Sequence, residues 1–353
     1  MILAAGVGSR LDPLTRNVPK PMVPVVNQPV MEHIVRLLVQ HGFDEIFCNT
    51  HYLAEQIEYY FNDGHALGAT MRFNREHELM GTAGGVKRVA EETGFFDTKE
   101  TFLVTGGDDL TNIDLSAMLR FHKEQNALAT IGLTTVSDPS QFGVVVLEGG
   151  EASSRITRFV EKPAPGTAPS NLVNTGIYLF EPEILDLIPS GQFHDFGKQV
   201  FPFLLEQKKP FFGYCTGDYW RDVGNLREYR ECHDDFFARE LDLHVNVPQA
   251  GDQLWIGDGC SIHPSAEISA PCVIGPRCVI GAGARIIGNS VLGEACEIGD
   301  GATISHSILW ARSCVEPNTH LYRCLVGFDC HVYSNAAIFD GTIVPPQQAG
   351  DNR

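Results

Sequence analysis

Several groups of residues in this 353-residue chain could handle phosphate or a metal ion. Gly6-Val7-Gly8-Ser9 follows an apolar run and leaves little side chain between backbone N–H groups and an approaching anion. Arg10 adds a planar fork and Lys20 a mobile point charge, both able to grip phosphate oxygens. The spacing is neither the P-loop nor Gly-x-Gly-x-x-Gly, because position 11 is Leu, and the glycines alone fit a plain strand-to-loop turn equally well. Asp108 and Asp109 close the apolar run that starts at Thr101, where α/β sheets bind ligands and where a hard ion such as Mg²⁺ would find oxygen donors. A turn followed by a helix cap is the alternative for this pair. Gly81-Thr82-Ala83-Gly84 puts small residues at a helix start, either to expose free N–H groups or to make a tight helix entrance. Glu161-Lys162, by itself, reads as a solvated surface pair.

These residues need a scaffold, and up to about Tyr214 the pattern supplies one. Short apolar runs (Met1–Ala4, Glu45–Asn49, Thr101–Leu110, Leu128–Leu133, Phe142–Val146, Ser154–Val160) alternate with amphipathic stretches (Pro29–Gln40, Leu53–Phe61, Thr82–Glu92, Leu115–Gln125). The expected fold is a Rossmann-like α/β domain with a mixed, mostly parallel sheet. Only four residues precede the first loop, so the leading strand is short, as in a chain that lacks a few residues at its start. His33 lies inside the first amphipathic stretch and reads as a core or surface histidine rather than a ligand.

A formal net charge of −18 with no basic run argues against a nucleic-acid or anionic-membrane partner, since either needs a positive face. No long uncharged apolar run and no basic-then-apolar leader occur, so neither a membrane span nor a secretory signal is expected and the cytoplasm is the default. The ten cysteines include no Cys-x-x-Cys, which speaks against zinc and for reduced, buried thiols.

From Ile256 the chain acquires a period of six. Ile256, Ile262, Ile268, Ile274, Ile280, Ile286, Leu292, Ile298 and Ile304 recur without a slip, and from Cys260 onward the residue two before each is Cys, Ala or Ser. That is the hexapeptide pattern of a left-handed parallel β-helix, with each aliphatic residue pointing inward and the small one at the corner beside it. The phase shifts near Trp310 and resumes at Val326, Val332, Ile338 and Val344. The chain therefore divides into an α/β region 1–243, a linker 244–254 and a β-helix 255–345. A stacked solenoid has ends and flat faces, so a homo-oligomer through this region is expected.

Gly-x-Gly-Ser-Arg-Leu-x-Pro-Leu-Thr with Pro19-Lys20-Pro21-Met22, followed in order by Gly81-Thr82-Ala83-Gly84, the strand ending Gly107-Asp108, Glu161-Lys162-Pro163, Asn174-Thr-Gly-Ile-Tyr178 and Trp220-Arg-Asp222, resembles the sugar-1-phosphate nucleotidylyltransferases. The hexapeptide tail fits the longer members, and the whole looks most like the mannose-1-phosphate guanylyltransferase branch. The resemblance implies a nucleoside triphosphate and a sugar 1-phosphate as substrates, with Mg²⁺ as cofactor. It assigns Arg10, Lys20 and Lys162 to catalysis and Asp108 and Asp222 to the metal. Leu3, Ala4, Ala5, Gly6, Gly8, Ser9, Glu78, Gly81, Thr82 and Gly107 would bind the nucleotide. Gly143, Glu161, Asn174 and Gly176 would bind the sugar. Two departures stand out: Gly106 replaces an Asn common in relatives, and Asp109 makes it open which aspartate ligates. Alternative readings are a glucose-1-phosphate uridylyl-, thymidylyl- or adenylyltransferase, a regulatory homologue without activity, and a bifunctional enzyme with an acyltransferase tail. The five charged residues of the site are all present, which disfavours the second.

Overall fold

The structure, a computed structural model, describes residues 1–149 and 154–345. Through residue 237 the strands are β1 (Ile2–Ala4), β2 (Pro24–Val25), β3 (Gln28–Pro29), β4 (Glu45–Thr50), β5 (Thr70–Arg75), β6 (Phe102–Gly106), β7 (Asp109–Thr111), β8 (Ala129–Thr135), β9 (Gly143–Leu147), β10 (Ile156–Glu161), β11 (Leu172–Phe180), β12 (Phe211–Cys215) and β13 (Trp220–Asp222). The helices are α1 (Val30–Gln40), α2 (Ala54–Phe61), α3 (Gly81–Thr93), α4 (Leu115–Glu124), α5 (Phe201–Glu206) and α6 (Leu226–Phe237). Two compact units result: Met1–Val7, Pro19–Pro21 and Ile34–Asp222 form one, and Gly8–Val18, Met22–His33 and Val223–Arg353 the other.

The first unit is built on a nine-stranded sheet in which β1 lies between β4 and β6, parallel to both, and β5 continues the parallel run beyond β4. The order reverses at β11, which runs antiparallel to β6, β8 and β9. This is a mixed α/β sheet, as expected, with parallel pairing along β5–β4–β1–β6 and between β8 and β12. Val104, Ile131, Leu133, Val145 and Phe180 are fully buried and pack with Phe196, Phe201 and Phe211 into one aromatic-rich core. Apart from the main sheet, β7 and β13 make a two-stranded ribbon that sets Asp222 opposite Asp109.

The second unit is dominated by the β-helix. Its three sheets are wholly parallel apart from one edge strand, Gln249–Gly251, which pairs antiparallel with Leu254–Ile256 inside the stretch expected as linker. Ile274, Ile280, Ile286, Leu292, Ile298 and Ile304 are buried as the period requires, with Cys272, Cys278, Ala284, Ser290, Cys296 and Ala302 fully enclosed at the corners. Among the described residues, none of the ten cysteines forms a disulfide. Several give their S–H to carbonyls of the next coil, as Cys278 does to Gly293, and burial pushes the Cys272 thiol up to about 12. The phase shift is a one-residue deletion per coil: Ile256, Ile274 and Leu292 stack 18 apart, but Leu292, Leu309, Val326 and Ile343 stack 17 apart. In the last coil the inward residue is therefore Ile343, not the expected Val344.

α6 is shorter than the helix expected over Asn225–Leu243, with Asn225 capping it through bonds from the N–H groups of Arg227 and Glu228. In the same unit the β2–β3 hairpin turns at Val26 and Asn27, both at positive φ. Val26 is an unfavourable residue there, and tertiary bonds hold it. Its N–H donates to His233 Nε2 (3.2 Å), Asn27 Nδ2 donates to Leu292 O (2.7 Å), and Tyr229 Oη donates to Pro24 O (2.6 Å) while accepting from Trp310 Nε1 (2.7 Å). His33, buried, bonds the Val25 carbonyl, so it is a satisfied core histidine as expected.

His233 has a pH consequence. It is fully enclosed; burial, only partly countered by its bond to the Tyr229 carbonyl and reinforced by His33, pulls its pKa from 6.5 down to about 4. The unfolded imidazole takes a proton below about 6.5 while the folded one stays neutral, so stability is whole above that pH and drains away as pH falls toward 4. Urea unfolding is expected to show roughly 2 to 3 kcal/mol lost from this group between pH 7.5 and 4.5. His233→Gln, which keeps an acceptor and a donor, should shrink that difference; an unchanged pH dependence would show that His233 is not its source.

Candidate active site

The carboxyl ends of β1, β4 and β6 lie side by side in the first unit, with Leu3 opposite both Asn49 and Gly106. Gly107 N–H donates to Leu3 O (2.9 Å), drawing the start of the loop and the glycine–aspartate turn together. A Cβ at Gly6 would meet nothing within 4 Å, so the backbone there faces open space. Ala4 and Ala5 are buried supports beneath it.

Lys20 is buried, only 8% exposed, and its ammonium reaches two carboxylates at once: Asp108 and, at 3.0 Å, Asp222. Burial alone would lower its pKa, but the two aspartates more than reverse this and hold it above the ordinary lysine value. Residues 88 and 202 positions distant from Lys20 thus meet on one nitrogen. Asp109 is different. It is buried, its Oδ2 lies against Gly106 and Gly176, and burial, then Asp108 and Asp222, push its carboxyl well above the usual range despite Lys20. Of the two adjacent aspartates, Asp108 is the one that converges with Asp222. The Gly106 departure follows from the same crowding, since a Cβ there would sit 2.6 Å from Asp108 Oδ1 and 2.8 Å from Asp109 Oδ2. Asp108 and Asp222 fit a divalent ion: their oxygens can reach a single cation, and Mg²⁺ completes its shell with water and phosphate oxygens. Among the described residues there is no cluster of three or more metal-ligating side chains.

The expected sugar residues lie where β9, β10 and β11 converge. Glu161, opposite Gly143 in the β10–β9 ladder, is half buried. Burial raises its pKa, helped by Asp195 and opposed by Lys162 and Lys198. Lys162 is exposed at positive φ, its N–H held by Phe142 O (3.1 Å). Gly143 is glycine for packing: a Cβ would lie 2.4 Å from the Phe159 ring. Asn174 accepts from Gly176 N–H (2.8 Å) and donates to Tyr178 Oη (2.9 Å), which pins the Gly176 turn at φ 77°. Tyr178 is buried core, as is Leu110, while Trp220 is tied by its indole N–H to Thr175 O (2.9 Å).

One expectation is corrected. The N–H groups of Ala83 and Gly84 at the start of α3 do not face outward; both bond to His194 O (3.0 and 2.9 Å). Gly81 and Gly84 are small because the 192–194 backbone packs on them, with a Cβ at Gly81 2.5 Å from His194 O. Thr82 then links α3 to the next segment, donating to Asp195 Oδ2 and accepting from Phe196 N–H, both at 3.0 Å. The first of these bonds joins residues 113 apart, and no local pattern foretells it. Glu78 is exposed on the loop before the helix. Gly8, Ser9 and Arg10 belong to the second unit, where Gly8 takes a left-handed conformation and opens a single 3-10 turn, with Ser9 and Arg10 exposed.

The Nucleotidyl transferase family pattern matches residues 1–238, two thirds of the chain. The chain belongs to the nucleotidyl transferase family. Residues 251–348 match the EIF2B subunit epsilon LbH domain, in keeping with the left-handed β-helix. A UTP--glucose-1-phosphate uridylyltransferase from Synechocystis is 39% identical over 289 residues, covering 78% of this chain and 73% of its own. A mannose-1-phosphate guanylyltransferase from Mycobacterium tuberculosis is 32% identical over 276 residues, covering 78% of this chain and 74% of its own. The structure of a Bacillus anthracis protein assigned as a glucose-1-phosphate thymidylyltransferase superposes with a TM-score of 0.60 at 23% identity, covering 69% of this chain and 96% of that one, which speaks to the fold. This nucleotidyl transferase is an enzyme of the sugar-1-phosphate class. Among the described residues, no helix is long and apolar enough to cross a membrane.

Proposed function

We propose that this nucleotidyl transferase joins GTP to mannose 1-phosphate, forming GDP-mannose and pyrophosphate. The observation that carries the chemistry is the convergence of Lys20, Asp108 and Asp222, with Asp108 next to Gly107, whose N–H bonds Leu3 O ahead of the first loop. The sugar phosphate oxygen is already anionic at neutral pH and attacks the α-phosphorus in line, so no side chain has to form a covalent bond. What the protein supplies is position and charge. Lys20 approaches the nucleotide phosphates and Lys162 the sugar phosphate, each offsetting negative charge that grows as the two substrates close. Glu161, Asn174 and the Gly176 turn take the sugar hydroxyls. Asp108 and Asp222 would hold Mg²⁺, which when bound neutralises the triphosphate and orients the leaving pyrophosphate.

The guanylyl and mannosyl assignment draws on the Pro19–Val25 and Gly81–Gly85 motifs together with the β-helix, and on relatives such as the mycobacterial guanylyltransferase. A uridylyl reading with glucose 1-phosphate has its own support in the 39% identity to the Synechocystis enzyme. Pyrophosphate release from a matrix of the four nucleoside triphosphates against mannose, glucose and N-acetylglucosamine 1-phosphates separates them. The GTP and mannose 1-phosphate pair is expected to give the highest kcat/KM; UTP with glucose 1-phosphate leading would transfer the assignment, and no release with any pair would end it.

A further inference from the structure

Glu76 stands just before the loop that enters α3, and it is almost completely buried, at 2% exposure. A buried carboxylate needs strong partners, yet no basic side chain pairs with it among the described residues. Its partners are instead Asn49 Nδ2, which donates to Oε1 (2.6 Å), and Met80 N–H, which donates to Oε2 (3.1 Å). Asn49, itself buried at the end of β4, uses its other side-chain atom to accept from Ala4 N–H (3.0 Å). The backbone of Glu76 is fixed as well, its N–H donating to Thr50 O (2.8 Å) and its carbonyl bonded by His51 Nδ1 (2.8 Å). Gly85 leaves the space: a Cβ there would lie 2.6 Å from Glu76 Oε1 and 2.9 Å from Asn49 Nδ2.

Three hydrogen bonds in series therefore run from the end of β1 to the residue before Gly81. We infer that Glu76 is a positioning residue that holds the phosphate loop after β1 and the turn into α3 at one fixed separation, so that a nucleotide meets both ends in a preformed frame. This rests on the proposed function and on the resemblance, which assigns both the first loop and the Gly81–Thr82 turn to the nucleotide. Glu76 touches neither substrate in that picture. Its loss is felt in nucleotide binding, because the two grips are no longer set to the length of one ligand.

The chain of bonds has a direction, which supplies the test. Glu76→Gln keeps the shape but places an NH₂ group against either Met80 N–H or the Asn49 amide, so one bond is lost. Asn49→Asp alone sets two carboxylates against each other. Together, Asn49→Asp with Glu76→Gln reverse only the middle bond. The carboxylate introduced at position 49 still accepts from Ala4 N–H, the amide introduced at position 76 donates to that carboxylate and accepts from Met80 N–H, and the net charge is unchanged. Each single variant is expected to raise the KM for the nucleotide about tenfold or more, as loss of a bond to a charged group implies. The KM for the sugar phosphate and kcat should stay within a few-fold, and the double variant should return close to the wild type. In the free protein, exchange at the Met80 N–H or at the Asn49 side-chain amide, whichever loses its acceptor, should quicken in Glu76→Gln, and Met80 should exchange at the wild-type rate in the double variant. The relay is overturned if the double variant is no better than the singles, or if both KM values move together. Exchange at both positions is read without any substrate, so exchange unchanged at both the Met80 N–H and the Asn49 side-chain amide in Glu76→Gln overturns the relay whatever the chain turns over, while a wild type inactive with every pair overturns only the proposed activity.

Discussion

Replacing Lys20 by methionine is expected to lower kcat by roughly a hundred- to a thousandfold with both substrates saturating, the scale seen when one preorganised electrostatic contact to a developing charge is removed. Methionine keeps most of the length of the side chain and its unbranched shape but takes away the positive charge that reaches both Asp108 and Asp222. Substrate would then meet clustered carboxylates without that counter-charge, and the phosphates of the nucleotide would lose the contact that draws them toward the sugar phosphate. The side chains of Asp108 and Asp222 are 31% and 17% exposed, so water can hydrate both and the fold should survive, as far-UV circular dichroism can show. Lys123→Met is the control, since Lys123 is an exposed lysine whose ammonium pairs with Glu181. A Lys20→Met enzyme within tenfold of the wild type would mean that the Lys20–Asp108–Asp222 convergence is structural and that catalysis is organised elsewhere.

The second large effect is expected in the β-helix, from a residue with no chemistry. Gly257, Gly275 and Gly293 follow inward-pointing Ile256, Ile274 and Leu292 and stack in successive coils. A Cβ at Gly275 would lie 2.6 Å from the Gly293 carbonyl carbon and 2.7 Å from Glu294 N, backbone atoms that cannot step aside without parting two coils. Gly275→Ala is expected to destabilise the protein by about 3 kcal/mol, the upper range for overpacking. Gly283 makes the comparison sharp: it has a positive φ of 65° but open space around its Cβ position, so Gly283→Ala should cost only about 1 kcal/mol, through backbone conformation. Urea unfolding of the two variants measures the difference. Equal costs would show that the coils can separate locally and that close approach is not what keeps glycine at 275.

How far the sequence could be read depended on the range of the interaction concerned. The β-helix was legible because its coils repeat: an inward aliphatic every six residues and a small residue two before it are local facts, and the coil closure they imply is enforced again at each turn. Where one residue drops out, the same local reading misplaced the last inward position by one, choosing Val344 over Ile343, because the deletion is compensated by stacking on Val326 and not by anything nearby in sequence. In the α/β unit the strands and helices were visible in their periodicity, and the glycine loop, the Gly-Asp turn and the Glu-Lys pair in their composition.

The small residues at the start of α3 show the opposite limit. Glycine and alanine at a helix entrance say that something comes close, but not whether it is a ligand or another stretch of chain; here the His194 carbonyl occupies two of the amides. What the amino-acid sequence determined by itself was the kinds of element present, the residues able to carry charge and the repeat that builds the tail, since each is set by spacing along the backbone. Only the tertiary structure decided which charges meet: that Lys20 reaches Asp108 and Asp222, that Asp109 turns away into a buried corner, and that Glu76 lies between Asn49 and Met80. The reason is physical, since electrostatic and hydrogen-bond partners are chosen by distance in space and desolvation, neither of which is written in the order of the residues.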